Sequence, residues 1–128
     1  MKLLLDTHAL FWWVVEQDKL PQRVFAAIED DGNEVFVSIA TAWEIAIKVG
    51  QGKWPEAAGL INSFERELAT AEFHALPITV PHVRVAGLMQ SPHRDPFDRL
   101  LAAQAQIEGL KLVAADAKLA SLGAPTLW

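Results

Sequence analysis

The amino-acid sequence predicts an α/β fold: a central, mostly parallel sheet of four to five strands between two layers of helices, a three-layer α/β/α sandwich. Short runs rich in Val, Leu and Ile alternate with longer stretches in which apolar residues recur at helical spacing. The short runs are apolar on both faces, which is typical of parallel strands covered by helices on either side. With 128 residues, the chain is long enough for one hydrophobic core, so we expect a single domain over residues 1–128.

Five segments are predicted as strands. The first, Leu3–Leu5, ends at Asp6 after too few apolar residues for a secretory signal, which needs about 7–15 of them. The others are residues 35–37, 75–76 and 112–114, with a weaker candidate at 125–127. In sheets of this class, functional sites form beyond the carboxyl ends of the strands.

Proline and glycine mark the boundaries of several predicted helices. Pro21 and Pro96 are suited to the first helical turn, and Gly32 and Gly109 follow helix ends. Helices are predicted over residues 8–16, 21–31, 41–49, 55–71, from 81 onward and 96–108, with a short one over 117–122.

Composition narrows the functional classes. Hydrophobic residues make up 52% of the chain, which argues against disorder, and no apolar run approaches the roughly 18 residues needed to cross a bilayer. The absence of cysteine excludes disulfides and thiolate metal sites, and we expect a cytoplasmic protein. The net charge of -5 has the wrong sign for a non-specific nucleic-acid binder. Setting aside four of the 16 acidic residues as a metal cluster leaves 12 against 11 basic ones, so the remaining surface is nearly neutral.

Two aspartates directly follow predicted strands. Asp6 comes after the first strand and Asp116 after the fourth, so we expect both at the C-terminal edge of the sheet. Each has a structural alternative, because Asp accepts hydrogen bonds from free N–H groups where helices begin. Asp6 could equally cap the helix that starts near Thr7, and Asp116 the short helix after it.

Glu44 lies one turn into the helix that follows the second strand. Lys48 stands at i+4, and such a pair on an exposed helix contributes roughly 0.2–0.5 kcal/mol. The apolar neighbours of Glu44 in the segment 43–47 argue against a fully exposed side chain. A surface ion pair and a site carboxylate therefore both remain open.

Asp95 and Asp98 stand three residues apart at the start of a helix. Asp95 followed by Pro96 is typical of an N-cap and first helical residue, with Asp98 then at the third helical position. Capping gives Asp95 a structural role that needs no chemistry. Asp98 could share that role, but from the first turn it can also point over the edge of the sheet.

Together, four carboxylates are expected at one edge of the sheet. Two unit charges about 5 Å apart repel by roughly 3 kcal/mol at an effective dielectric near 20, so such a cluster calls for a cation. Oxygen ligands without cysteine favour Mg²⁺ or Mn²⁺. These ions are suited to phosphodiester hydrolysis, because they activate water and neutralise charge that develops on the phosphate. The candidate metal and catalytic residues are Asp6, Glu44, Asp98 and Asp116.

These residues and their order resemble the PIN-domain family and, within it, the VapC-type toxins of bacterial toxin–antitoxin pairs. The resemblance spans nearly the whole chain, and its most specific part is the block from Asp95 to Ala105. The matching segments are 3–10 (LLLDTHAL), 37–38, 43–48 (WEIAIK), 93–105 (HRDPFDRLLAAQA), 112–113, Asp116 and 127–128.

The resemblance implies a PIN-like fold and a Mg²⁺- or Mn²⁺-dependent endoribonuclease. It further implies a homodimer and inhibition by a VapB-like antitoxin whose tail occupies the acidic groove. Asp6, Glu44 and Asp98 match the acidic ligands, and Asp116 matches a more variable fourth. Thr7 would orient Asp6 or a water, and Asp95 would cap its helix beside the ligands. The family often has Thr at the position of Ala114, so a hydroxyl is missing beside Asp116.

Basic and aromatic side chains supply further candidates. Arg94 and Arg99 flank the expected site and are candidates for contacting RNA phosphates, although Arg99 could instead pair with Asp95 at i+4. The four histidines share no metal-ligand spacing, but His8 and His93 could lie near the site. The five tryptophans could stack on bases, yet their helical spacing favours core or interface positions.

Two other functions compete with the nuclease. A phosphoacceptor signalling domain also has a parallel sheet with an acidic Mg²⁺ site, but the second strand here ends in Ser38, and Lys118 lies after Asp116 rather than ending a strand. A non-catalytic PIN-fold binding module is the other alternative. The presence of all four acidic residues argues against it.

Overall fold

Five short apolar segments form one parallel sheet in the computed structural model, which describes residues 1–128. The strands are β1 (Lys2–Leu5), β2 (Glu34–Ser38), β3 (His74–Leu76), β4 (Lys111–Val113) and β5 (Thr126–Leu127). Their order is β3-β2-β1-β4-β5, so β1 is central. In the register, Leu4 is paired with Phe36 of β2 and with Leu112 of β4. The strand order reverses between β1 and β4, and this switch point is where open parallel sheets place their sites.

Eight helices connect and cover the strands. They are α1 (Thr7–Val15), α2 (Gln22–Glu29), α3 (Ile39–Gly50), α4 (Ala58–Asn62), α5 (Phe64–Ala71), α6 (Val80–Leu88), α7 (Pro96–Glu108) and α8 (Ala117–Ala120), with 3₁₀ turns at Gln17–Lys19 and Pro55–Ala57. The predicted continuous helix over 55–71 is wrong, because it breaks at Ser63. The Ser63 hydroxyl donates to the Gly59 carbonyl at 2.8 Å, a local bond of the kind that competes with helical pairing.

Helix α7 shows how the sequence sets helix boundaries near the site. The Asp95 carboxylate accepts hydrogen bonds from the backbone N–H groups of Phe97 and Asp98, and Pro96 fills the first helical position. At the other end, Gly109 adopts φ 69°, a left-handed conformation that glycine takes without steric cost. The predicted bounds of this helix are confirmed.

The central strand supplies both hydrophobic layers. Leu3 and Leu5 belong to a cluster of 17 buried residues on one face of the sheet, and Leu4 belongs to a cluster of 11 on the other. All three side chains are fully buried, and burial of each stabilises the fold by about 1.5–3 kcal/mol. Helices α1 and α2 contribute to the first cluster and α7 to the second. The predicted three-layer α/β/α sandwich is therefore confirmed.

None of the helices combines the length and the apolar character required to cross a membrane.

Candidate active site

Asp6 lies at the centre of the acidic edge, directly after β1. Its side chain caps α1 by accepting a hydrogen bond from the Ala9 N–H at 2.8 Å. Burial raises the pKa of Asp6 to about 7, against the opposing effect of that hydrogen bond, and the negative charges of Asp98, Glu44 and Asp116 raise it further. The other three predicted carboxylates therefore lie close enough to Asp6 to disfavour its charge. Asp6 therefore both caps α1 and lies at the edge of the sheet, the two positions that the sequence offered as alternatives.

Glu44 is buried in α3, with only 7% of its surface exposed. Its Oε1 accepts a hydrogen bond from the Thr7 hydroxyl at 2.5 Å, and its Oε2 lies 3.0 Å from the Lys48 ammonium. The i+4 ion pair that the sequence left open is present, but on a buried carboxylate rather than a surface one. Thr7 was expected to orient Asp6 or a water; its hydroxyl instead donates to Glu44, because α3 brings Glu44 over the start of α1.

Asp98 lies in the first turn of α7, and its side chain is 24% exposed. Its Oδ2 is 2.8 Å from the Nε2 of His93. Burial raises the pKa of Asp98, the His93 hydrogen bond opposes that rise, and the charge of Asp95 adds to it. Asp95 caps α7 as predicted, whereas Asp98 does not complete a capping box, because its carboxylate is turned to His93.

Asp116 is the most exposed member of the group. Its side chain caps α8 by accepting a hydrogen bond from the Lys118 N–H at 2.9 Å. Its charge raises the pKa of Asp6 less than those of Asp98 and Glu44 do. The neighbouring Ala114 is buried and offers no hydroxyl. Asp116 therefore lies at the border of the site rather than at its centre.

The two candidate arginines have different surroundings. Arg94 is exposed and takes part in none of the ion pairs of the chain. The Arg99 guanidinium donates instead to four backbone carbonyls in and around the connection between α6 and α7. The ion pair between Arg99 and Asp95 that the sequence allowed does not form.

Two histidines, His93 and His8, lie near the carboxylates, and the sequence did not define a role for either. His93 contacts Asp98, and the only sequence signal was its position five residues earlier in the same segment. His8 lies on α1 with its ring 5.1 Å from that of Trp54 and 5.6 Å from that of Trp12. Partial desolvation lowers the pKa of His8, and the charge of Lys48 lowers it further.

The tryptophans divide as the helical spacing suggested. Four of them pack against the larger core cluster: Trp12, Trp13, Trp54 and Trp128. Trp43 is different, because 60% of its surface is exposed and its ring meets Phe97 edge to face, with the centroids 5.3 Å apart. It precedes Glu44, as Phe97 precedes Asp98, so this aromatic pair flanks the carboxylates.

No three acidic or histidine side chains are arranged as a ready metal site in this conformation. Each carboxylate is turned to a protein partner: Asp6 to the Ala9 N–H, Glu44 to Thr7 and Lys48, and Asp98 to His93. The donor chemistry nevertheless matches a hard cation, because the group is rich in carboxylate oxygens and its members repel one another.

The PIN domain family model matches residues 3–125. The chain belongs to the PIN domain family. A curated relative, Ribonuclease VapC22 of Mycobacterium tuberculosis, is 29% identical over 140 residues, and the alignment covers 98% of each protein.

Solved structures share the fold of this PIN domain. The VapBC2 structure from Rickettsia felis, bound to a promoter DNA fragment, superposes with a TM-score of 0.71 at 15% identity and covers 99% of this chain and 98% of that one. DNA-bound VapBC from Salmonella typhimurium superposes with a TM-score of 0.67 at 17% identity, over 99% of this chain and 97% of that one. FitAcB from Neisseria gonorrhoeae superposes with a TM-score of 0.64 at 21% identity, over 100% of this chain and 97% of that one. At these identities the likeness concerns the fold.

Proposed function

We propose that this PIN domain is an endoribonuclease that hydrolyses RNA phosphodiester bonds and acts as the toxin of a VapBC-type toxin–antitoxin module. The observation that carries the proposal is the group of carboxylates around Asp6 at the switch point of the sheet. The relative VapC22 is named a ribonuclease and matches over almost its full length. The acidic composition of the chain is then a property of its site rather than an obstacle to RNA binding.

A divalent cation, Mg²⁺ or Mn²⁺, belongs to this proposal. Asp6, Glu44 and Asp98 would hold it, with Asp116 as a fourth and outer ligand. Bound there, the ion would neutralise charge on the phosphate and favour attack by water. Burial is the main cause of the raised pKa of Asp6, and the charges of Asp98, Glu44 and Asp116 add to it; a bound cation would favour the ionised carboxylate against both effects. To hold it, Glu44 and Asp98 would give up some of their contacts to Lys48 and His93.

The other side chains of the site orient the acids and contact RNA. Thr7 fixes one oxygen of Glu44, which leaves the other to exchange between Lys48 and a cation. The N-cap bond of Asp95 fixes the first turn of α7 and hence the backbone position of Asp98. Arg94 is exposed just before that turn and is our candidate for contacting a substrate phosphate.

The partner of the proposed toxin is a VapB-like antitoxin. Two of the similar structures are VapBC complexes by name. A group of four carboxylates in a chain of net charge -5 favours a basic polypeptide segment, which would both bind the acidic edge and block it.

We also propose that the chain forms a homodimer through an apolar patch beside the site. The patch is centred on Trp43 of α3 and Val83 of α6, which line one cavity and are each more than half exposed, and α6 also carries the exposed Val80 and Leu88. A cavity of about 440 Å³ lies between α3, α6 and α7, with Trp43, Val83 and Leu100 in its walls. Large apolar side chains grouped in this way are typical of protein contact surfaces.

The test is cleavage of RNA by the purified chain, freed of any antitoxin, with Mg²⁺ or Mn²⁺ and with chelator. We expect metal-dependent cleavage that is lost in Asp6→Asn and in Asp98→Asn and retained in Asp31→Asn, whose side chain is exposed in the connection between α2 and β2. Absence of cleavage by the wild type with either ion, or full activity of Asp98→Asn, would overturn the proposal.

A further inference from the structure

One side chain makes four hydrogen bonds to the end of α6 and the connection between α6 and α7, residues 89–95. Arg99, in the first turns of α7, donates from Nε to the His93 carbonyl at 2.7 Å and from Nη2 to the Ser91 carbonyl at 2.8 Å. Its Nη1 donates to the carbonyls of Met89 at 3.1 Å and Ala86 at 3.3 Å. Four backbone carbonyls, spread over the eight residues 86–93, therefore meet at a single guanidinium.

The guanidinium also completes the end of α6. The last carbonyls of a helix lack intrahelical partners and carry partial negative charge, so a cation there is favourable. No basic residue stands in the last turn of α6, and the cap residue Met89 makes no backbone hydrogen bond that closes the helix. Arg99 supplies both the charge and the donors from the neighbouring helix.

This arrangement leaves little of Arg99 for a substrate. A guanidinium has five N–H donors, and four of them are engaged by carbonyls here. The side chain is also partly buried, in contrast to the exposed Arg94. Of the two arginines that the sequence suggested for phosphate contact, the surroundings therefore favour Arg94.

The connection that Arg99 holds leads to Asp98 of the candidate active site. His93 receives the shortest of the four bonds at its carbonyl, and its ring Nε2 lies 2.8 Å from Oδ2 of Asp98. Arg99 and Asp98 are adjacent on α7, so the same turn of helix fixes both ends of this loop. The path from guanidinium to loop backbone to imidazole to carboxylate is continuous.

We propose that Arg99 is a positioning residue of the nuclease: by gathering these carbonyls it fixes the backbone of His93, and through His93 it sets the orientation of the Asp98 carboxylate. The inference rests on the nuclease function proposed above. A lysine at this position keeps the charge but offers a single ammonium in place of a planar fork, so it cannot reproduce the set of bonds.

The experiment compares Arg99→Lys and Arg99→Gln with the wild type, and uses Arg84→Gln as a matched loss of charge, since Arg84 is exposed on α6. Circular dichroism and thermal melting establish which variants fold. Hydrogen exchange then reports on the amides of residues 89–95. We expect at least about tenfold faster exchange there in both Arg99 variants, with exchange in the sheet unchanged, and no change in Arg84→Gln.

Kinetics separate positioning from substrate contact. Loss of a residue that orients a ligand typically costs about 10–100-fold in metal affinity or activity. We expect that loss in kcat and in Mn²⁺ affinity measured by calorimetry, with KM within about twofold of the wild-type value. The double variant of Arg99→Lys with His93→Gln should lose no more than the worse single variant, because both changes break the same path.

The outcomes are distinct. If the wild type cleaves no RNA, the proposed function fails; faster exchange in residues 89–95 of the Arg99 variants would still support the fixing of the His93 backbone by Arg99, and unchanged exchange there would overturn it. If the wild type cleaves and Arg99→Lys matches it in kcat and Mn²⁺ affinity, the positioning role is wrong. A rise in KM alone would make Arg99 a substrate contact, and losses that multiply in the double variant would separate Arg99 from His93.

Discussion

Replacing Asp6 by Asn tests the strain that the acidic site imposes on the fold. Burial and three neighbouring carboxylates raise the pKa of Asp6 from 3.8 to about 7, so its ionised form is destabilised in the folded state. Asn is as good an N-cap as Asp, so the hydrogen bond from the Ala9 N–H can be kept. The substitution therefore removes a charge at little structural cost.

The expected gain follows from the pKa shift. One pKa unit corresponds to about 1.4 kcal/mol, so a shift of about three units sets an upper limit of about 4 kcal/mol. Because part of the side chain reaches solvent, we expect Asp6→Asn to be more stable than wild type by about 2–4 kcal/mol at pH 8 without metal. At roughly 4 °C per kcal/mol for a domain of this size, the melting temperature rises by roughly 8–16 °C.

The gain should depend on pH in a defined direction. Below pH 3.8 Asp6 is protonated in both the folded and the unfolded chain, and it costs no stability. Between pH 3.8 and about 7 the unfolded chain binds fewer protons than the folded one, so stability falls as the pH rises. Above about pH 7 the loss of folding stability caused by Asp6 is complete. The advantage of the Asn variant should therefore be less than about 2 kcal/mol at pH 5 and largest at pH 8.

Urea unfolding at several pH values, in the presence of chelator, measures this difference. Asp31→Asn is the control, since it removes one exposed carboxylate outside the site and should change stability little at any pH. Adding Mn²⁺ should stabilise the wild type and not the Asp6 variant, because only the wild type binds the ion. An Asp6→Asn variant no more stable than wild type at pH 8 would refute the strain at this carboxylate.

Three further predictions concern neighbouring parts of the molecule. Thr7→Val leaves one oxygen of buried Glu44 without its donor, so we expect the free energy of unfolding in urea to fall by about 1–3 kcal/mol and cleavage to slow. Thr7→Ser should recover both, and equal stability of the Val and Ser variants would contradict this. Val83→Glu should give a monomer by light scattering, because Val83 lines the cavity of the proposed dimer contact. Val85 is exposed on α6 but outside the cavity walls, so Val85→Glu should remain a dimer; a dimer that survives Val83→Glu would place the interface elsewhere. Leu4→Ala should cost about 2–5 kcal/mol, because Leu4 is fully buried in the central strand, and a smaller loss in urea unfolding would mean that the sheet closes around the cavity.

Much of the fold was predictable because it depends on local patterns. Five apolar runs coincide with the five strands, and Asp95, Pro96 and Gly109 mark the ends of α7 through bonds and dihedral angles that those residue types favour. The break at Ser63 was missed, because a serine within a helical pattern can either continue the helix or bond back to a carbonyl, and only the packing of α4 and α5 decides. The order of strands around β1 likewise arises from pairing over long distances along the chain.

The site was predictable in its backbone positions and less so in its contacts. The predicted strand ends and helix starts placed Asp6, Glu44 and Asp98 at one edge of the sheet, and the charges of Glu44 and Asp98 do add to the pKa shift of Asp6 that burial mainly causes. The partner of Thr7 could not be predicted from spacing, since Glu44 lies 37 residues away. The partners of Arg99 are near in sequence, but they are backbone carbonyls in and beside an irregular connection, where no regular spacing marks a contact. A hydrogen bond across 37 residues leaves no local signature.

Capping and catalysis are not competing explanations for the acidic residues. Asp6 and Asp116 accept backbone N–H bonds at the starts of α1 and α8, and Asp98 lies in the first turn of α7. Helix N-termini carry partial positive charge, so each helix start offsets part of the repulsion among the carboxylates. That offset helps a group of like charges to persist in the folded chain. The offset is incomplete, because burial and, to a smaller extent, the neighbouring charges still raise the pKa of Asp6 to about 7. An acidic group built on helix caps is therefore compatible with a folded chain, and the proposed cation would reduce the cost of its charges further.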